Sequence, residues 1–189
     1  LYLLRPHMLE LITPPTVEPV TLAEAKAHLK IETDDDDALL ATFIAAARAR
    51  AEWHLGRALI TQDWVLWLDR WPNTNCVGIP LPPLQAVTSV KTCAVNGTVT
   101  DLDASLWSAD TVSAPARLMF NGALPGNLRP QNAIAIAFTA GYGDAAEDVP
   151  APIRAGILDL IADLYANRGD QARAVPMPAS FAPYRMVRL

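Results

Sequence analysis

The chain has 189 residues, 51% apolar and 19% charged, enough for one domain, with or without an insertion, around a buried core; wholesale disorder is excluded. A net charge of −5 argues against a protein whose main work is gripping nucleic acid phosphates, because that needs a cationic surface. Two cysteines, Cys76 and Cys93, with no CxxC pair are too few for a disulfide scaffold or a structural zinc site, and no apolar run approaches the ~18 residues of a membrane span.

Residues 1–19 are expected to be an extended N-terminal arm. Proline fixes φ and restricts its predecessor, so "TPPTVEP" (13–19) cannot be helical. Met8 is a candidate start, with residues 1–7 an upstream extension. Thr21 and Glu24 then form a capping box, and Leu22, Ala25 and Leu29 follow at helical spacing, so a short helix is predicted over about 22–30.

Four aspartates, Asp34 to Asp37, precede a second apolar face: Leu39, Leu40, Phe43, Ile44, Ala47, Ala51 and Leu55. Contiguous acids do not make a calcium loop, which alternates its ligands around a central glycine. At a helix start, unpaired N–H groups and the positive dipole end favour negative charge, and one of the aspartates is expected to cap. Gly56 is placed to end this helix in the left-handed conformation.

The pattern changes to period two at "TQDWVLWLDRW" (61–71), apolar on both sides and so expected to be covered on both faces or to lie at a subunit contact. "PLQAVTSVKTCAV" (83–95) is β-branched and ends at Asn96-Gly97, a hairpin signal, with "VTDLD" (99–103) as the returning strand. "ARLMF" (116–120) and "AIAIAFT" (133–139) are further strands, and "AGYGD" (140–144) is a strand-to-loop turn. A third helix follows, with Pro152 in its first turn and Ile153, Ile157, Leu160, Ile161 and Leu164 as its stripe.

Residues 174–189 have no helical period and are expected to be extended. They carry Arg185 and Arg188 and no acid, which leaves −7 on the rest of the chain. Aromatic and Arg anchors are the residue types of binding hot spots, so the tail is a candidate docking segment for its own body, a neighbouring copy or another protein. No catalytic signature stands beside it. His7, His28 and His54 form no HxxxH pair, and GxSxG, GxGxxG and GxxxxGK are absent. Asp159 and Asp163 share a helix face that is expected to be solvated. Trp64, Trp67 and Trp71 could stack bases only with basic neighbours, and Arg70 is the single one there.

The ordered set of segments resembles a family. "LITPPTVEPVTLAEAKAHLKIETDDDDALLATFIAAARARAEWHLGRALITQDW" (11–64), "WP…IPLPPLQAVTSV" (71–90), "FTAGYGD…VPAPIRAGILDLIADLYANRG" (138–169) and "PYRMVRL" (183–189) are similar to head–tail connector (adaptor) proteins of tailed bacteriophages and their relatives in phage-like gene transfer agents. The resemblance implies an α+β fold: a small helical bundle of three main helices (20–60 and 150–169) with a β insertion (61–140) and a C-terminal tail (174–189).

It also implies a structural virion protein at the head–tail junction, made in the bacterial cytoplasm, with no enzymatic activity, cofactor, metal or membrane. The implied partners are the portal protein, copies of itself in a ring expected to be twelvefold, a downstream neck or tail-completion protein, and DNA passing through the lumen unbound. Family members grip the portal with extended terminal segments, which assigns portal docking to Phe181, Pro183, Tyr184, Arg185, Met186, Val187, Arg188 and Leu189. On this reading, removal of residues 176–189 leaves a folded protein that no longer holds the portal. The alternatives are a small hydrolase with a concealed site and a single-stranded nucleic acid binding module.

Overall fold

A computed structural model describes residues 8–168 and 176–186. The chain divides into two compact units, one formed by residues 1–14 and 61–141 and the other by 15–60 and 142–189. The fold is α+β, with three main helices and antiparallel sheets.

The described part of the first unit is β-strands with one 3-10 turn, Ala104–Leu106. Its five-stranded antiparallel sheet is built from β1 (Met8–Thr13), β2 (Gln62–Leu68), β4 (Leu84–Cys93), β5 (Val99–Asp101) and β8 (Ile134–Ala140), in the order β1-β2-β8-β4-β5. A three-stranded sheet has the order β3 (Cys76–Ile79), β7 (Ala116–Phe120), β6 (Trp107–Asp110). Alternation places Ile134, Ile136, Phe138 and Ala140 of β8 and Leu66 and Leu68 of β2 in the core.

Val65 and Trp67, on the other side of β2, are only half-buried, so the two-sided apolar pattern corresponds to unequal faces. Asn96-Gly97 turns the β4–β5 hairpin, with Gly97 at φ +85° and the Asn96 side chain accepting from Thr98 N–H at 3.0 Å. Both cysteines are free thiols.

Three strands lie outside the sequence expectation. Within the extended arm, Met8–Thr13 is an edge strand, its register on β2 helped by Glu10, which accepts from the Trp67 indole N–H at 2.8 Å. Cys76–Ile79 and Trp107–Asp110 are four residues each, too short to show periodicity, and exist because both pair with β7.

The second unit holds α1 (Leu22–Leu29), α2 (Asp37–Leu55) and α3 (Ala151–Ala166) around one core: Leu40, Ile44, Ala47, Ala51 and Leu55 from α2 and Ile153, Ile157, Leu160 and Ile161 from α3. The capping box at the head of α1 is present in both directions, Thr21 Oγ1 accepting from Glu24 N–H and Glu24 accepting from Thr21 N–H. Gly56 closes α2 at φ +66°. In the tail, residues 179–184 form a 3-10 helix where extended chain is expected. It is started by Pro178, whose carbonyl accepts from Phe181 N–H at 3.1 Å.

Candidate functional site

The aspartate run does not cap α2. Asp36 stands at the N-cap position with no side-chain bond to the helix backbone. Its carboxylate instead accepts from the Tyr165 hydroxyl at 2.5 Å and from Arg168 at 3.1 Å, both from the C-terminal end of α3. Asp34 and Asp37 accept from Lys26 of α1, at 2.6 and 2.8 Å. Lys26 and Arg168 each add a full positive charge to the bond they donate, which a backbone N–H does not.

The run is therefore a junction that ties the head of α2 to α1 and α3. The electrostatics agree: the Tyr165 and Arg168 bonds hold the Asp36 carboxyl below the ordinary carboxylate range, and Lys26 does the same for Asp34. Among the described residues no group of three or more His, Cys, Asp or Glu is placed to hold a metal ion.

A second set of contacts orders the chain around this junction. Arg48 of α2 pairs with Glu18 at 2.8 Å and with Glu52 one turn on at 2.7 Å. The other oxygen of Glu52 accepts from Leu59 N–H at 2.9 Å. Arg154 of α3 reaches back to the Pro19 carbonyl at 2.9 Å and forms a short ion pair with Glu24. Asp159 is exposed as expected, but Asp163 on the same side is half-buried and accepts from the Asn167 side chain at 3.0 Å.

The tail docks on the helical unit of its own chain. Phe181 is 0% exposed and joins the core of α2 and α3, with its ring 6.3 Å from that of His54. Gly156 of α3 makes this seat: a Cβ there would lie 2.4 Å from Phe181 Cε1 and 2.7 Å from Ser180 Oγ. Beyond Phe181 the backbone is held twice, by Arg57 Nε donating to the Tyr184 carbonyl at 2.6 Å and by Met186 N–H donating to the Leu55 carbonyl at 2.9 Å. Met186 lies over Gly56, the residue that ends α2. Burial, and secondarily Arg185, push the His54 pKa down.

Eight tail residues were assigned to portal docking from the sequence, and the structure separates them. Phe181 is turned inward and is an anchor to its own unit, because an aromatic ring gains most from a dry pocket. Tyr184 and Met186 are half-buried, while Pro183 and Arg185 are exposed. Val187, Arg188 and Leu189 lie outside the described residues. No sequence motif marks the anchor; the signals that could have found it are Gly156, a helix-weakening residue inside an apolar stripe, and an aromatic between prolines.

The clearest hollow of the first unit, about 420 Å³, is lined by residues 69–71 and 125–130. The polar groups there hold loops: Asp69 accepts from Asn132 N–H, Arg129 donates to the Asn132 carbonyl, and the Trp71 indole donates to the Pro125 carbonyl. Trp71 also meets Phe120 edge-on at 5.0 Å. The indole N–H groups of Trp67 and Trp71 are thus bonded within the unit.

Comparison with known proteins places this architecture. Residues 19–97 match the family model described as phage gp6-like head-tail connector protein. A chain in the neck of an empty gene transfer agent (GTA) particle, computed with C6 symmetry, aligns with a TM-score of 0.84 and 28% identity, covering 96% of this chain and 97% of that one. A chain from the virion of a native GTA particle aligns at 0.81 and 27% identity, with the same shares covered. A chain from the neck of a native particle, computed with C12 symmetry, aligns at 0.80 and 28% identity, again over 96% and 97%. No curated protein matches the sequence.

Proposed function

We propose that this chain is a head–tail connector, a structural subunit of a ring in the neck of a phage-like particle. The observation that carries this reading is the two-way coverage. Both units align, end to end, with chains from GTA necks, so the likeness is to a whole subunit and not to a shared module. The chemistry of the site is consistent with it: charged groups are spent tying helices together, and an apolar tail is folded against its own helices.

A head-to-tail interface closes into a ring when the rotation between copies permits. The C12 and C6 symmetries of the similar necks support such a ring, and twelve copies is our reading for this chain. We assign its upstream partner as the portal protein and its downstream partner as a neck or tail-completion protein. DNA passes through the lumen, and a net charge of −5 suits passage, because few phosphate contacts mean little counterion-release affinity.

The tail is our candidate for the portal contact. Its anchored segment, up to Met186, leaves Pro183 and Arg185 exposed for such a contact.

Imaging assembled particles with and without the gene tests the proposal. The expected result is ring density from this chain at the head–tail junction, and filled heads without tails when it is missing. Complete, tailed particles lacking the protein would overturn it.

A further inference from the structure

α2 has a second apolar face, which its own unit does not cover. The exposed residues of this helix are Ala38, Ala41, Thr42, Ala46, Ala49 and Trp53, and none is charged. Ala38, Thr42, Ala46, Ala49 and Trp53 follow at steps of four and three, so they share one side. The Thr42 hydroxyl donates to the Ala38 carbonyl at 3.0 Å, within its own helix. At the end of this side Trp53 is 84% exposed, whereas Trp64, Trp67, Trp71 and Trp107 are all at least half-covered. Trp53 ends a row of small uncharged exposed residues, with the half-covered Arg50 three positions before it at the edge of that side, and an exposed tryptophan flanked by an arginine has the composition of an interface centre.

Resting on the ring reading above, we propose that this face packs against α3 of the next copy, with Trp53 as the anchor. A ring interface is heterologous, so the covering surface must be a different one on the neighbour. The exposed side of α3 is also small: Ala151, Pro152, Ala155 and Ala166, with Asp159 as the one charge among the exposed residues of that helix. Alanines on both sides let the helix axes approach to the short end of the 8–10 Å range. The indole N–H is donor only and needs an acceptor once buried, and the Asp159 carboxylate is acceptor only.

The test uses the full chain in assembled particles. Trp53→Glu changes an exposed position, so its thermal melt stays within a few degrees of the parent. Copies per purified particle, counted by quantitative mass spectrometry, fall at least about tenfold, while Trp53→Phe keeps most of them. In a separate variant, Ala49→Cys with Ala155→Cys gives a ladder of cross-linked multimers on mild oxidation, and neither single variant does.

Rings of normal copy number with Trp53→Glu, or intact rings without the ladder, overturn the α2–α3 contact and leave the ring in place. A wild-type neck holding no multi-copy ring of this chain would instead remove the ring reading, and this contact with it.

Discussion

Gly156 shows how one missing methyl group decides a long-range contact. Glycine inside a helix ordinarily costs about 1 kcal/mol relative to alanine, so Gly156→Ala in isolation would stabilise α3. Here the added Cβ meets the Phe181 ring and Ser180. The variant is expected to be less stable by about 1–3 kcal/mol, with the tail newly open to protease. Phe181→Ala, which empties the seat instead of crowding it, should cost about 3–5 kcal/mol in urea unfolding. If Gly156→Ala raised the midpoint, the seating of Phe181 against α3 would be wrong.

Single titratable groups also set the pH response. The folded pKa values of Asp34 and Asp36 are depressed, so their contribution is present above the unfolded value of about 4 and is lost as pH falls through the folded ones. The folded pKa of His54 is depressed too, so the tail seat loses stability as pH falls below about 6.5. Tyr165 is raised by its bond to Asp36, so its share is complete below about 10 and disappears as pH rises through the folded value. Urea midpoints measured across pH should therefore be highest between about 6.5 and 10. Asp36→Asn should flatten both the acid limb below 4 and the alkaline limb.

At the level of elements, the helix ends carry different loads. The α1 capping box satisfies two N–H groups locally, and Thr21→Ala should cost about 1 kcal/mol by thermal melt without altering the rest of the unit. The head of α2 has no such local device. Its order comes from Lys26, Tyr165 and Arg168, residues of α1 and of the C-terminal end of α3. Lys26→Met is then expected to increase hydrogen exchange in the first turn of α2 more than in α1 itself. Equal exchange in the two places would show that the junction does not hold that turn. The capping box was legible because its partners are three residues apart; the junction was not, since Tyr165 lies 129 residues from Asp36.

For the whole molecule, the anchoring of the tail and its proposed docking are separable by truncation. Removal of residues 176–189 was expected to spare the fold, but it takes away Phe181, a fully buried core member. That truncation should destabilise the helical unit by several kcal/mol, in line with emptying a large aromatic site. Removing only residues 187–189 keeps Phe181 and both backbone bonds of the anchor, and should therefore cost far less stability than the longer truncation. The docking proposal expects this shorter truncation to lose co-purification with the portal. Retained portal binding by the 187–189 truncation would place the contact elsewhere on the chain.

The amino-acid sequence alone determined the local events: the capping box, the glycine end of α2, the hairpin at Asn96-Gly97, and the stripes of Ile153 to Ile161 and Ile134 to Phe138. Each depends on residues within a turn or a strand of one another, where backbone geometry leaves few alternatives. The tertiary structure decided everything that needed a distant partner. It drew Met8–Thr13 into a sheet, assigned Asp34, Asp36 and Asp37 to their cations and hydroxyl, and turned Phe181 inward while leaving Trp53 outside. Both aromatics carry the same hydrophobic drive in sequence. Only packing decides that one has a glycine-lined seat on its own helices and the other has none.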